Sequence, residues 1–386
     1  MTSGIGKLGL GPKGGAGDIG RYIGVTPPSA IETAPALRTY LDHAATTMMT
    51  EAARAAVSEG MTRWANPSSP HAEGRAAKAA LEGARVEVAA AYGWRHELLF
   101  TSGASEALAI ALGRSQAERV LVSAVEHDAV LRACPDALTL PVGTDGLVDP
   151  AALSLTPGDL VAVQWANSET GVRQPIAAIA AAVHAAGAHL LVDAAQMPAG
   201  ADPALATQAD LIALSAHKRG GPPGIGALLV RDLALLSPSG GQERGYRPGT
   251  ENLPAALGYA AALAEPEPDH AELRAMLDDR ITRSGGIAVA AGAGRHPAIG
   301  SYRLPGVAAA TQLIRLDLAG FAVSAGSACA SGSMKPSHVL AAMGWRAEEG
   351  REVIRVSFGR TTGAAEVEAF VAAWRAMARA TGRFAA

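Results

Sequence analysis

Between residues 98 and 230 short apolar runs alternate with stretches of helical spacing, and this alternation is the tightest constraint on the fold. The runs are Leu98–Thr101, Arg119–Ser123, Leu160–Trp165, His189–Asp193, Leu211–Ser215 and Ile225–Val230. Each is too short for a helix and almost free of polar residues in its interior. A strand that is apolar on both faces is buried on both faces. That is the mark of a mainly parallel sheet covered by helices, an α/β fold. Helical spacing over residues 51–64, 73–92, 105–116 and 175–186, with a further helix opening near His127, supplies the cover.

The chain of 386 residues divides by character. Residues 1–39 are rich in Gly and Pro and read as an irregular N-terminal arm. Residues 40–265 read as a large domain. The stretch Glu265-Pro-Glu-Pro-Asp269 is a natural linker into a smaller α+β domain over 266–386, with helices near 270–283 and 364–380 and strands near 287–290, 322–324 and 353–358. The arm contains Gly15-Ala-Gly17-Asp-Ile-Gly20, which has the spacing of a dinucleotide fingerprint. No strand precedes it, so the fingerprint is rejected. A net charge of -3 argues against nucleic acid or an anionic membrane as the main partner. The most apolar window, Ile176 to Val192, holds His184, Gly187 and His189, and reads as a helix running into a strand, not as a membrane span. Two cysteines, Cys134 and Cys329, make no disulfide framework, and a reduced, cytoplasmic protein without a Cys/His metal cluster is expected.

Ligands of such sheets gather at the carboxyl ends of strands. Phe100-Thr-Ser-Gly-Ala-Ser105-Glu106 follows one run, and its small residues open a helix whose free amides and dipole suit a phosphate. A plain turn with Ser105 as helix N-cap is the competing reading. Asp193 ends Leu190-Leu-Val-Asp193, and Gln196 follows. A carboxylate there is costly unless it meets a cation or nearby amides. Ser215-Ala-His217-Lys218 ends another strand, ahead of a Gly/Pro loop in which a lysine is ordinarily solvated. Yet an acid and a lysine at strand ends fit pyridoxal phosphate (PLP). That cofactor needs an amine for a Schiff base, an acid for its ring nitrogen and a cradle for its phosphate.

At these positions the chain resembles the PLP-dependent cysteine desulfurases of the class-V aminotransferase family. The resemblance rests on Tyr40-Leu-Asp-His-Ala-Ala-Thr-Thr47, Asn66-Pro-Ser-Ser-Pro-His-Ala-Glu-Gly-Arg75, the Phe100–Glu106 stretch and Glu126-His-Asp-Ala-Val130. It continues through Asn167-Ser-Glu-Thr-Gly-Val-Arg-Gln-Pro175, Asp193–Gln196, Ser215–Lys218, the segment Gly240–Asn252, the Cys329 loop and Ile354-Arg-Val-Ser-Phe-Gly-Arg360. The stretches fall in family order from residue 40 to residue 360. The resemblance implies the PLP-dependent transferase fold (fold type I) and a homodimer. Lys218 would carry PLP, Asp193 would pair with its ring nitrogen, and His127 would stack on the ring. Gln196 and Asn167 would bond near its phenolic oxygen, and Asn167 also near the substrate. Ala104, Ser105, Ser215 and His217 would hold the phosphate, which Thr250 of the second subunit would also reach. Arg355 would bind the carboxylate of L-cysteine, a surface salt bridge being its plainer alternative.

The resemblance also explains why Cys329 sits among Gly326, Ser327, Ser331 and Gly332. A desulfurase needs a thiol that moves to the substrate sulfur and carries it away as a persulfide to an acceptor protein, in iron–sulfur cluster assembly or a thiolation pathway. Cys134 reads as structural. His43, Met48, Ser105 and Pro223 depart from the usual family residues, the stretch Val307–Phe321 looks shortened, and a C-terminal docking tail is not expected. A selenocysteine lyase or another class-V PLP enzyme is the near alternative, and a non-catalytic partner protein of the same fold the distant one. An aminotransferase would have no use for Cys329.

Overall fold

The computed structural model describes residues 38–325 and 336–381. Cys329 and the glycine motif of residues 15–20 lie outside the described residues. The described chain begins with β1 (Thr39–Tyr40), α1 (Glu51–Thr62) and α2 (Ala72–Ala91). Then follow β2 (Glu97–Thr101), α3 (Ala104–Gly113), β3 (Val120–Ser123), α4 (Asp128–Ala133), β4 (Leu138–Leu140), β5 (Leu160–Gln164) and α5 (Ile176–Ala185). Next come β6 (His189–Asp193), α6 (Leu205–Gln208), β7 (Leu211–Ser215) and β8 (Gly226–Val230). Strands β2 to β8 form one sheet in the order β2-β8-β7-β6-β5-β3-β4. The pairs from β7 to β4 are parallel, and β8 runs antiparallel to both β7 and β2.

The expected apolar runs are these strands, and their side chains feed two layers. Val161, Val163, Leu190, Val192, Ile212 and Leu214 point into the core that also holds residues of α2 and α5. Their neighbours Leu160, Ala162, Leu191, Leu211 and Ala213 point into the opposite core, under α3 and α4. The strand period of two thus loads both faces. It also brings the carboxyl ends of β2, β3, β5, β6 and β7 to one edge.

Beyond β8 the chain forms α7 (Leu253–Ala264), α8 (Ala271–Thr282), β9 (Ile287–Ala288), β10 (Ile299–Arg303), α9 (Ala309–Leu318) and β11 (Phe321–Ala322). It ends with α10 (His338–Ala342), α11 (Ala347–Gly350), β12 (Val353–Ser357) and α12 (Ala364–Ala380). A second sheet, β12-β10-β9, is antiparallel throughout. Its core gathers Tyr302, Ile354, Val356, Phe370 and Trp374. Strand β1 pairs in parallel with β11 and brings Leu41 into this second core. A bridge between Asp42 and Ser357 then sets Asp42 beside Arg355.

Helix α7, strand β10 and helix α9 were not anticipated. Helix α7 is Ala-rich and apolar nearly all round, so it has no polar face to reveal a helical period. It is buried against the large core. Strand β10 is broken in pattern by Gly300 and Ser301. Helix α9 occupies the stretch that looked shortened. The Glu265–Asp269 linker is pinned, because Glu267 pairs with Arg219 at 2.9 Å and lies 3.7 Å from Arg360.

One buried ion pair fixes the segment after β8. Arg85 of α2 meets Glu243 in a two-armed contact of 2.6 and 3.1 Å, and both are buried. Arg85 also donates to the Leu98 carbonyl, and Glu243 accepts from the Phe100 amide. This holds Glu243 and Arg244 at φ 47° and 57°, left-handed conformations that side chains rarely adopt. Arg85→Met leaves the carboxylate buried without its cation, and should cost about 3–5 kcal/mol in urea unfolding with the slope unchanged. A loss under about 1 kcal/mol, the range of exposed pairs, would contradict the anchoring role.

Candidate active site

Strand β2 stops at Thr101 and turns through Gly103 into α3. Gly103 has φ 155°. A Cβ on Gly226, at the start of β8, would meet the Gly103 Cα at 2.6 Å and the Leu214 carbonyl oxygen at 2.4 Å. Two bare glycines therefore let the helix start rest directly on the sheet edge. No side chain caps α3. Ser105 is the second residue of the helix, so the reading of Ser105 as N-cap is corrected: Gly103 holds that position. The amides of Ala104, Ser105 and Glu106 find no acceptor among the described residues. The Glu106 carboxylate turns back onto the Ser102 amide and Arg247. What remains is a row of free N–H groups at the positive end of a helix, where an anion is favoured.

Asp193 ends β6, buried, and accepts the Ala195 amide at 2.9 Å. It has no Lys, Arg or His within 4.0 Å among the described residues. Gln196 donates to the Ala44 carbonyl at 2.9 Å, and its Oε1 is buried with no partner among the described residues. Asn167 is differently placed. Its Oδ1 accepts the amides of Glu169 and Thr170 and the Thr170 hydroxyl, and its Nδ2 donates to the Val125 carbonyl. Its Oδ1 shapes the loop, and its Nδ2 ties the loop to Val125.

Lys218 follows β7 and is half-buried at the wall of the same cleft, not solvated as a loop lysine ordinarily is. Burial lowers its pKa to about 8, with the negative charge of Asp193 opposing and Arg355 adding. His127 is the N-cap of α4, and its Nδ1 accepts the Ala129 amide at 3.1 Å. Burial, then the charge of Lys218, lowers its pKa. His217 is within 3.1 Å of the Thr46 hydroxyl, and burial lowers its pKa to about 4. Ser215 is buried at the end of β7.

Arg355 is no surface residue. It is buried on β12, donates to Asp42 at 2.7 Å and to the Ser168 carbonyl at 2.9 Å, and keeps a buried Nε–H without an acceptor among the described residues.

One cleft of about 810 Å³ brings together Ala104, Ser105, His127, Asn167, Asp193, Gln196, Ser215, His217, Lys218 and Arg355. Thr250 is exposed and is not part of its lining. Cys134 is half-buried behind α4, where burial raises its thiol pKa, as suits a structural residue. Sequence reasoning missed two acids. Glu126 is buried, bonded to the Ser123 hydroxyl and the Gln164 amide, and burial raises its pKa to about 8. Asp42 is the partner of Arg355. Both stood inside quoted motifs, but only the folded chain shows what they touch.

The chain matches the Aminotransferase class-V family over residues 39–370. It is 38% identical over 364 residues to the cysteine desulfurase of Cereibacter sphaeroides, covering 86% of this chain and 93% of the relative. It is 37% identical over 370 residues to an IscS-like cysteine desulfurase of Mycobacterium tuberculosis, with the same coverage of both chains. The fold is similar to a NifS-like protein from Rickettsia africae, with a TM-score of 0.78 at 29% identity over 88% of this chain and 99% of that one. It is also similar to SspA in complex with cysteine, with a TM-score of 0.74 at 27% identity over 84% of this chain and 100% of that one. The chain belongs to the class-V aminotransferase family, grouping with its cysteine desulfurases, and is an enzyme with the fold of type I PLP-dependent proteins.

The lowered pKa of Lys218 makes a stability prediction. The unfolded lysine titrates near 10.5 and the folded one near 8. The folded chain therefore carries the whole cost of the ammonium below pH 8 and none of it above 10.5. Cofactor-free Lys218→Met should melt at a higher temperature than the parent at pH 7, and the gain should shrink as pH rises through that window. A lower melting temperature at pH 7 would contradict a buried ammonium.

Proposed function

We propose that this chain is a cysteine desulfurase that binds PLP, takes sulfur from L-cysteine, releases L-alanine and passes the sulfur through a Cys329 persulfide to an acceptor protein. The observation that carries the reading is Asp193, a buried carboxylate that among the described residues has no paired cation, in one cleft with a lysine of depressed pKa and a helix start that no described side chain caps. A cofactor with a basic ring nitrogen, an aldehyde and a phosphate answers those three features together. The unpartnered Oε1 of Gln196 adds a fourth polar contact.

In this reading Asp193 faces the ring nitrogen, Lys218 is the point of attachment, and the Ala104 and Ser105 amides with Ser215 and His217 hold the phosphate. Thr250 reaches the phosphate of a second subunit in a homodimer. When bound, PLP supplies an electron sink that stabilises negative charge at the substrate α-carbon. The neighbouring Glu126, held neutral by burial below about pH 8, adds no second negative charge beneath Asp193. The His127 cap bond fixes the plane of its ring for stacking. The Lys218 amine, whose pKa is close to neutrality, takes and returns the α-proton. Arg355, steadied by Asp42 and Ser168, grips the substrate carboxylate with its planar fork. The Cys329 thiolate attacks the substrate sulfur. A sulfur–sulfur bond forms, the carbon–sulfur bond breaks with its electron pair left on carbon, and a proton completes alanine. A reducing, cytoplasmic setting suits a persulfide carrier.

Alanine and sulfide released from L-cysteine with dithiothreitol as acceptor test the reading. The parent should make both in equal amounts. Cys329→Ser should bind PLP as before and make neither. Arg355→Gln should lose about 10- to 100-fold in kcat/KM, the worth of one charge-assisted fork. Alanine production by Cys329→Ser at the parental rate would overturn the persulfide step.

A further inference from the structure

A second cavity, of about 390 Å³, shares Ala44, Gln196 and Lys218 with the cleft above. The rest of its wall belongs to neither the cofactor nor the substrate set. Three guanidinium groups line it. Arg173 lies over the Trp165 ring, 4.5 Å from its centre. That indole is fixed by its own bond to Asp202 at 2.9 Å. Among the described residues the Arg173 guanidinium has no carboxylate or carbonyl partner. Arg219 and Arg360 spend their terminal nitrogens on Glu267 and on backbone carbonyls. Each keeps a buried Nε–H without an acceptor among the described residues. An unmet buried donor costs about 1–3 kcal/mol, so a cavity with two of them beside the partnerless Arg173 is organised for an acceptor.

The charge of the wall narrows the class of ligand. The three arginines face two carboxylates, Glu267 and Asp269, leaving one positive charge apart from Lys218. The imidazoles of His43, His270 and His296 are kept neutral by burial, so they do not add to it. One excess charge balances a monoanion. A phosphate dianion would meet the two carboxylates with charge to spare. Arg173, held over an indole, presents a planar fork, which suits the two coplanar oxygens of a carboxylate. Trp165 and Phe358 give the ligand an apolar contact.

We propose that this cavity is a second ligand site, which takes a small monocarboxylate on Arg173. The inference stands on the cavity and not on the reaction proposed above. Propionate is the probe, because it has no amine to react with PLP. The PLP-loaded protein is titrated by calorimetry at constant ionic strength, alongside Arg173→Gln, Asp269→Asn and Arg355→Gln. Saturable binding is expected in the parent, at least tenfold weaker in Arg173→Gln, tighter in Asp269→Asn and unchanged in Arg355→Gln. Arg173 is exposed, so its variant should melt as the parent does. Binding lost in Arg355→Gln but kept in Arg173→Gln would put the ligand in the substrate cleft and overturn the proposal. So would the absence of saturable binding, or inorganic phosphate binding more tightly than propionate.

Discussion

A carboxylate with no paired cation among the described residues, at the end of a strand buried on both faces, is the constraint around which this molecule is arranged. Asp193 has a single amide for a partner, at 2.9 Å. Burial at a cost is tolerated where it is returned on binding. The surroundings keep that cost from being relieved internally. Lys218 is near enough to feel Asp193, but its own burial lowers its pKa to about 8. Glu126 would compete as a second anion, and burial keeps it protonated below about pH 8. The parallel sheet makes this possible, because it ends β2, β3, β5, β6 and β7 at one edge and lets polar groups gather there.

The second sheet contributes at the same edge through the loop Asn167–Thr170. Its Ser168 carbonyl takes an arm of Arg355, and its Glu169 carbonyl takes the Ser301 hydroxyl of β10. The Glu169 carboxylate takes the Ser337 hydroxyl. One short loop thus ties together Arg355, the inner strand of the second sheet and residue 337. The Oδ1 of Asn167 keeps that loop in shape, and its Nδ2 anchors the loop to Val125. Asn167 thus lines the cleft and also braces the loop on which Ser168 and Glu169 stand.

The strands of the large sheet were legible because each is apolar on both faces and bounded by Gly, Pro or a polar end. Asp193, Lys218 and the turn before α3 were legible because they stand where strands stop, whereas His127, Asn167 and Arg355 were legible only through the family resemblance. What escaped has physical causes. Helix α7 has no polar face, and β10 no alternation. The N-cap of α3 was misread because glycines, not a hydroxyl, make the turn. Asp42 meets Arg355 across more than three hundred residues of sequence, through a parallel bridge that no local pattern announces. The second cavity is assembled from six or more separate segments, so no motif could have marked it.

The bond between His127 Nδ1 and the Ala129 amide has an effect on acid sensitivity. An imidazole accepts at one nitrogen only while it is neutral. Once protonated it has donors at both positions, and the Ala129 amide loses its acceptor. The start of α4 and the orientation of the ring are therefore forfeited in a single event. Protonation and fraying of the first turn become two names for one transition. Burial, by keeping the imidazole neutral, works as a latch on both.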